Sequence, residues 1–138
     1  MNIRKLDHAS FLVKDVERSR RFYVQVLGLH ELPRPNSSDV SGAWLTNDEH
    51  SFEVHLIGET EEGRMAQIHG HYRRDEIAQG YGTHAAFEVD DLEATIQHLR
   101  AHNVEIVGGP LPRGDGVQRV FICDPDGYMI ELFVREAK

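Results

Sequence analysis

Two pairs of residues with metal-binding or proton-transferring side chains stand 76 positions apart: His8 with His84, and His55 with Glu131. Three imidazoles and a carboxylate make a ligand set for a borderline divalent ion such as Zn, Ni, Fe(II), Co or Mn. Held on rigid elements, such a set would leave coordination positions open for water or substrate, as metal catalysis requires. Glu53, two residues before His55, is a spare base or ligand.

The pairs come from an internal duplication. DHASFLVKDVE at 7–17 reappears as THAAFEVDDLE at 83–93, superposing His8 on His84, Ala9 on Ala85, Phe11 on Phe87, Val13 on Val89, Asp15 on Asp91 and Glu17 on Glu93. Each copy runs on into a stretch of helical period, DVERSRRFYVQVLGL or DLEATIQHLRAHNVEI. Asp15 and Asp91 are the expected N-caps, without a capping box because Arg18 and Ala94 stand where Glu would close it. The same offset lays AWLTNDEHSFEVHLIG over RVFICDPDGYMIELFV, with Asp48 on Asp124, Val54 on Ile130 and Leu56 on Leu132. DPDG is a turn signal between two strand-like runs, so each module should end in a hairpin. The order is strand, helix and about three strands, written twice. This predicts an α+β fold of two βαβββ modules, residues 1–58 and 83–138, joined by a polar linker at 59–82 that holds a short helical piece.

Strand alternation then sorts the side chains. Ala9, Phe11 and Val13 form a packing face in the first strand, so His8 and Ser10 point the other way. By the same rule His55 and Glu53 oppose Val54 and Leu56, His84 opposes Ala85 and Phe87, and Glu131 opposes Ile130 and Leu132. All four candidate ligands therefore fall on the face without helices, each on its own strand. His30, His50, His69, His71, His98 and His102 read as surface or hydrogen-bonded residues, although His98 and His102 lie one helical turn apart. Cys123 reads as a packing residue, and Arg119, Tyr81, Trp44 and Tyr128 are candidates for substrate contact.

Composition bounds the partners. The 138 residues are 40% hydrophobic and 28% charged, ordinary for a globular domain, with a formal net charge of −8. An acidic balance disfavours nucleic acid and anionic membrane. A single cysteine cannot form an internal disulfide, and no apolar run approaches the roughly 20 residues that span a bilayer. A cytoplasmic protein acting on a small molecule is the expectation.

LDHASFLVKDVERSRRFYVQVLGL, VHLIG, THAAFEVDDLEATIQHLRAHNVEI and above all FICDPDGYMIEL resemble the vicinal oxygen chelate superfamily. That group includes glyoxalase I, extradiol dioxygenases, methylmalonyl-CoA epimerase and the fosfomycin and bleomycin resistance proteins. The resemblance covers nearly the whole chain. It implies paired modules forming a cup-shaped mixed sheet, helices outside, around a divalent metal held by His8, His84 and Glu131, with His55 at the fourth position. It also implies a homodimer and glyoxalase-like lyase or isomerase chemistry on a substrate that chelates through neighbouring oxygens, with Glu131 or Glu53 moving the proton. An Fe(II) extradiol-type dioxygenase and a small-molecule-binding resistance protein of the bleomycin-binding type are the alternatives. Glyoxalase I commonly has a second glutamate where this chain has His55. No basic cluster suited to the carboxylates of glutathione is evident around the site, so weak activity on glutathione adducts is expected.

Overall fold

The computed structural model describes residues 1–35, 40–64 and 73–136; His69 and His71 lie outside the described residues. The chain divides into two compact units, Met1–Gly70 and His71–Lys138. The first contains β1 (His8–Val13), α1 (Val16–Gln25), β2 (His30–Leu32), β3 (Gly42–Thr46) and β4 (Glu53–Gly58). The second contains α2 (Arg74–Gln79), β5 (His84–Glu88), α3 (Leu92–Ala101), β6 (Gly108–Pro112), β7 (Val117–Cys123) and β8 (Met129–Arg135). The sheets run β1-β4-β3-β2 and β5-β8-β7-β6, so the duplication in sequence is a duplication in topology. In each, the first strand pairs parallel to the last and the remaining pairs are antiparallel. The α+β architecture expected from the sequence is the one observed.

The helices start where the sequence places caps. Asp15 accepts a hydrogen bond from the Arg18 amide at 3.1 Å, and Asp91 one from the Ala94 amide at 2.9 Å, each satisfying a donor that the first helical turn leaves free. They stop at residues of positive φ, Gly28 at 72° and Asn103 at 57°. Just beyond, the Leu29 and Val104 amides bond back to the carbonyls of Tyr23 and Leu99. One helical stripe is buried in each case, Ser19 and Tyr23 on α1 and Ile96 and Leu99 on α3. The matching strand residues are Phe11, Val13, Leu45, Val54 and Leu56 in the first unit and Val120, Ile122, Ile130 and Leu132 in the second, all buried. Each large apolar side chain so buried contributes about 1.5–3 kcal/mol, and the alternation that buries it turns its neighbours to the helix-free face.

α2 belongs structurally to the second unit, docking on β6. A Cβ at Gly108 would stand 2.4 Å from the Ala78 carbonyl oxygen, so only glycine permits that approach. No described helix is long and apolar enough to cross a membrane.

The 76-residue offset holds for β1 and β5, for α1 and α3, and for β4 and β8, but it fails at β3 and β7. The β3–β4 loop has six residues, Asn47–Phe52, between the paired Thr46 and Glu53, whereas the β7–β8 loop has five, Asp124–Tyr128, between Cys123 and Met129. The counterpart of Trp44 is therefore Phe121 and not Val120: Trp44 pairs with His55 as Phe121 pairs with Glu131. The superposition of Asp48 on Asp124 fails for the same reason. Asn47, not the exposed Asp48, anchors its loop, accepting from the Ser51 amide at 2.9 Å.

Asp124 anchors the shorter loop more firmly. It is 5% exposed, and its Oδ1 accepts from the amides of Asp126 and Tyr128, both at 2.9 Å, while Gly127 turns the chain at φ 90°. Asp124→Ala should cost about 1–3 kcal/mol by leaving two amides without their acceptor, with Asp124→Asn much milder because an amide oxygen remains. Urea unfolding of both variants checks this, and equal losses would mean that the negative charge, and not the acceptor, is what the loop needs.

Candidate functional site

The helix-free face of the first unit carries a stack of three rings. His8 on β1 and His55 on β4 lie with centroids 4.0 Å apart and planes 18° apart, and Trp44 on β3 covers the other side of His55 at 4.0 Å and 2°. Strand pairing brings them together, since Ser10 and Trp44 are the cross-strand partners of His55. Carboxylates fix the ring nitrogens. His8 Nδ1 donates to Asp7 Oδ2 at 2.9 Å, which leaves Nε2 as the bare lone pair of the neutral ring. His55 Nε2 donates to Glu53 Oε1 at 2.8 Å, so His55 offers Nδ1 for as long as Glu53 holds it.

Glu53 is doubly engaged, because His50 Nε2 donates to its other oxygen at 2.7 Å. These hydrogen bonds, that of His50 first and that of His55 second, hold the Glu53 carboxyl below its usual range. The arrangement suits a residue that orients imidazoles better than one that takes up a proton. His50, read from sequence as a bystander, thus has a place beside the site. It also helps line a cleft of about 290 Å³ with Lys5, Asp7, Ser51, Phe52 and Glu53.

The corresponding face of the second unit centres on Glu131, whose side chain is only 4% exposed. His84 Nδ1 donates to the Gly82 carbonyl at 2.7 Å, and its Nε2 lies 2.9 Å from Glu131 Oε2. A carbonyl can only accept, so the Nδ1 proton is assigned, and the Nε2 lone pair then faces a carboxylate lone pair. A cation must stand between them, either a proton or a metal ion. Glu131 Oε1 is buried without a hydrogen-bond partner. Leaving such a group unsatisfied costs about 1–3 kcal/mol or more.

Two arginines form long ion pairs with that oxygen without hydrogen-bonding to it, Arg119 Nη1 at 3.9 Å and Arg113 Nη1 at 4.0 Å. Two basic residues thus adjoin Glu131, one of them clasped by Asp115. Arg119 lies over Phe121, its Cζ 5.2 Å from the ring centroid, and Phe121 meets His84 edge-on at 5.8 Å. Arg113 escaped notice because the sequence sets it in the loop Arg-Gly-Asp-Gly; the structure folds that loop so that Asp115 binds its Nε and Nη2 at 2.6–3.1 Å.

The structure therefore brings together His8 with His55, and His84 with Glu131, each pair within one unit. Among the described residues no group of three or more His, Cys, Asp and Glu side chains is close enough to hold a metal as it stands. Of the substrate-contact candidates, Arg119 lies beside Glu131, Trp44 is occupied by its stack on His55, Tyr128 sits in the Asp124 loop, and Tyr81 is 74% exposed. His98 and His102 are exposed neighbours on α3, ring centroids 4.2 Å apart. Cys123 is half-buried, and burial pushes its thiol above the usual range, away from nucleophilic character.

A family model described as the Glyoxalase/Bleomycin resistance protein/Dioxygenase superfamily matches residues 5–132. The chain belongs to that superfamily. Its relatives within it include the lactoylglutathione lyase of Haemophilus influenzae, 34% identical over 131 residues that make up 91% of this chain and 88% of that protein. A probable lactoylglutathione lyase of Vibrio parahaemolyticus is 33% identical over 91% of this chain and 86% of its own length. Among solved structures, a glyoxalase/dioxygenase from Nostoc punctiforme superposes with a TM-score of 0.72 at 27% identity, covering 99% of this chain and 94% of that one. A putative glyoxalase family protein from Bacillus anthracis gives 0.76 at 22% identity, covering 99% and 98%, a likeness of fold.

If the Glu131 carboxylate serves a superfamily site rather than the fold, Glu131→Gln should leave the metal-free protein as stable as the parent to within about 1 kcal/mol, since one carboxylate oxygen already lacks a partner. Guanidinium unfolding in the presence of a chelator measures it. A loss of about 3 kcal/mol or more would mark the His84–Glu131 pair as a structural tie instead.

Proposed function

We propose that the protein is a divalent-metal-dependent enzyme of the glyoxalase type in which His8, His55, His84 and Glu131 close on one ion. The ligands would come from the two units of one chain or of two chains in a homodimer. The observation that carries the reading is the buried Glu131 Oε1, which accepts no hydrogen bond, beside an Oε2 that lies 2.9 Å from His84 Nε2. A carboxylate so placed awaits a cation, and the donor set of three imidazoles and one carboxylate fits Zn, Ni, Co, Mn or Fe(II). Each histidine also has one ring nitrogen tied to an acceptor, the Asp7 or Glu53 carboxylate or the Gly82 carbonyl, as ligating histidines do.

When bound, the metal would supply Lewis acidity towards a substrate that presents two neighbouring oxygens. The chain's own residues do the rest. Gly82 and Asp7 hold the His84 and His8 rings in one tautomer, Trp44 keeps the His55 ring in plane, and Glu53 orients it. Glu131 is the carboxylate that would take up and return the substrate proton. Glu53, with both oxygens occupied, stands behind it. Tyr81 and Tyr128 remain candidates for the substrate wall, and a cytosolic setting is part of the proposal.

His55 sets the expected specificity. Putting imidazole where glyoxalase I commonly has glutamate removes a negative charge and a base, which handicaps proton transfer between adjacent carbons. Turnover of methylglyoxal–glutathione adduct with Ni, Co, Zn or Mn should therefore be weak. Lactoylglutathione formation at tens per second or more, typical of dedicated enzymes, would restore plain glyoxalase I activity and remove His55 as a determinant.

The metal itself is tested with untagged protein by equilibrium dialysis and metal analysis. His8→Ala should abolish metal retention while keeping its fold by circular dichroism. Addition of Co(II) or Ni(II) should quench the single tryptophan, Trp44, through its stacked partner His55. Unchanged retention in both His8→Ala and Glu131→Gln would remove the four-ligand site.

A further inference from the structure

We propose that Arg119, laid on Phe121 beside Glu131, is an oxyanion receptor that takes a carboxylate or phosphoryl group of the substrate. This names a substrate class and rests on the reading of Glu131 as part of a cation site.

The first observation is a mismatch. Arg119 Nε is buried without a hydrogen-bond partner, and so is Glu131 Oε1. The two side chains are 17% and 4% exposed, and Arg119 Nη1 approaches Oε1 only to 3.9 Å. A charge-assisted hydrogen bond forms at about 2.7–2.9 Å, so the pair sits about 1 Å too far apart to satisfy either partner. A cation on Glu131 and an anion on Arg119 would satisfy both.

The second observation separates Arg119 from its neighbour. Arg113 reaches the same oxygen at 4.0 Å, but its Nε and Nη2 are neutralised by Asp115. Among the described residues the Arg119 guanidinium has no such carboxylate clasp, only the longer approach to Glu131. It rests on an aromatic floor, and its Nε is a buried donor without an acceptor, so a bound oxyanion would satisfy the planar fork.

The floor itself is fixed. Gly80, at φ 75°, packs so closely on Phe121 that a Cβ there would stand 2.5 Å from the ring. The receptor is therefore preorganised by a backbone approach open only to glycine. Charge bookkeeping supplies its control: a cation bound to Glu131 cancels the carboxylate's pull on Arg119 and frees that charge for the anion.

The test uses full-length, metal-free protein with pyruvate and inorganic phosphate as separate probes, read by calorimetry and by chemical-shift changes of the Phe121 and Arg119 amides. The two probes distinguish a carboxylate from a phosphoryl preference. Arg119→Met should weaken binding roughly tenfold or more, the scale of a lost charged contact, and Arg119→Lys should fall between. Glu131→Gln should tighten binding by removing the competing carboxylate. Equal affinities in the parent, Arg119→Met and Arg119→Lys, or no binding of either probe even to Glu131→Gln, would overturn the proposal. Metal retention measured on the same variants keeps the two readings apart. Anion binding without metal binding sinks the four-ligand site alone, and metal binding without anion binding sinks the receptor alone.

Discussion

The parallel pairing of the first and last strand of each module is the constraint on which the facing of the four candidate site residues depends. It places the Ser10 backbone opposite His55 and that of Ala86 opposite Glu131, and the pleat then turns His8, His55, His84 and Glu131 away from the helices. The same pleat drives Phe11, Val13, Val54 and Leu56, or Ile130 and Leu132, into the cores under α1 and α3. A slip of one residue in either strand would exchange the two sets, burying imidazole and carboxylate in the apolar layer and exposing leucine and isoleucine. Packing and site chemistry are thus read off one register, and the hydrophobic core enforces the geometry of residues that contribute nothing to it.

That coupling explains what the sequence revealed. Where both modules keep the same spacing, through β1, α1 and β4 and their counterparts β5, α3 and β8, the repeat marked the elements, their caps and the facing of each candidate ligand. It misled at β3, because a loop one residue longer moved every side chain of that strand relative to β7. Trp44 and Phe121 are equivalent aromatic floors, yet a fixed offset put Trp44 over Val120. Loop length is set by turn chemistry, Asn47 in one loop and Asp124 in the other, and a comparison without gaps cannot see it. Hydrogen-bond partners brought in by turns were hidden for the same reason. The Gly82 carbonyl and Arg113 depend on how loops fold back and not on strand period.

Asp7 and His50 were open to view as neighbours of His8 and Glu53 in sequence, but proximity alone does not say which ring nitrogen is held. That choice decides which lone pair is left for chemistry. In the first unit it is made by carboxylates one or two residues earlier in the chain, Asp7 for His8 and Glu53 for His55, and in the second by a backbone carbonyl, so Glu131 is not needed to fix the Nδ1 side of His84.

The two modules have diverged most in how their faces handle charge. The first unit surrounds its imidazoles with Asp7 and Glu53, whose negative charges are spent on fixing rings. On the corresponding face the second unit buries the Glu131 carboxylate and sets two arginines beside it, at 3.9 and 4.0 Å, beyond hydrogen-bonding range. Burying a charge without complete pairing is costly, and a core built for stability alone would close such a gap or replace the group with an apolar one. α2 works in the opposite direction. Its C-terminal Gly80 pins Phe121 by an approach that a side chain would obstruct, Phe121 supports Arg119, and the Gly82 carbonyl holds His84, so the under-satisfied cluster is braced by backbone from outside. Duplication supplied two copies of one scaffold. Imidazole at His55 and carboxylate at Glu131 gave the two copies different chemistry, one unit presenting rings held by carboxylates and the other a buried carboxylate flanked by arginines. Under the proposed reading, that difference is what would let a metal ion and an anionic ligand be held side by side.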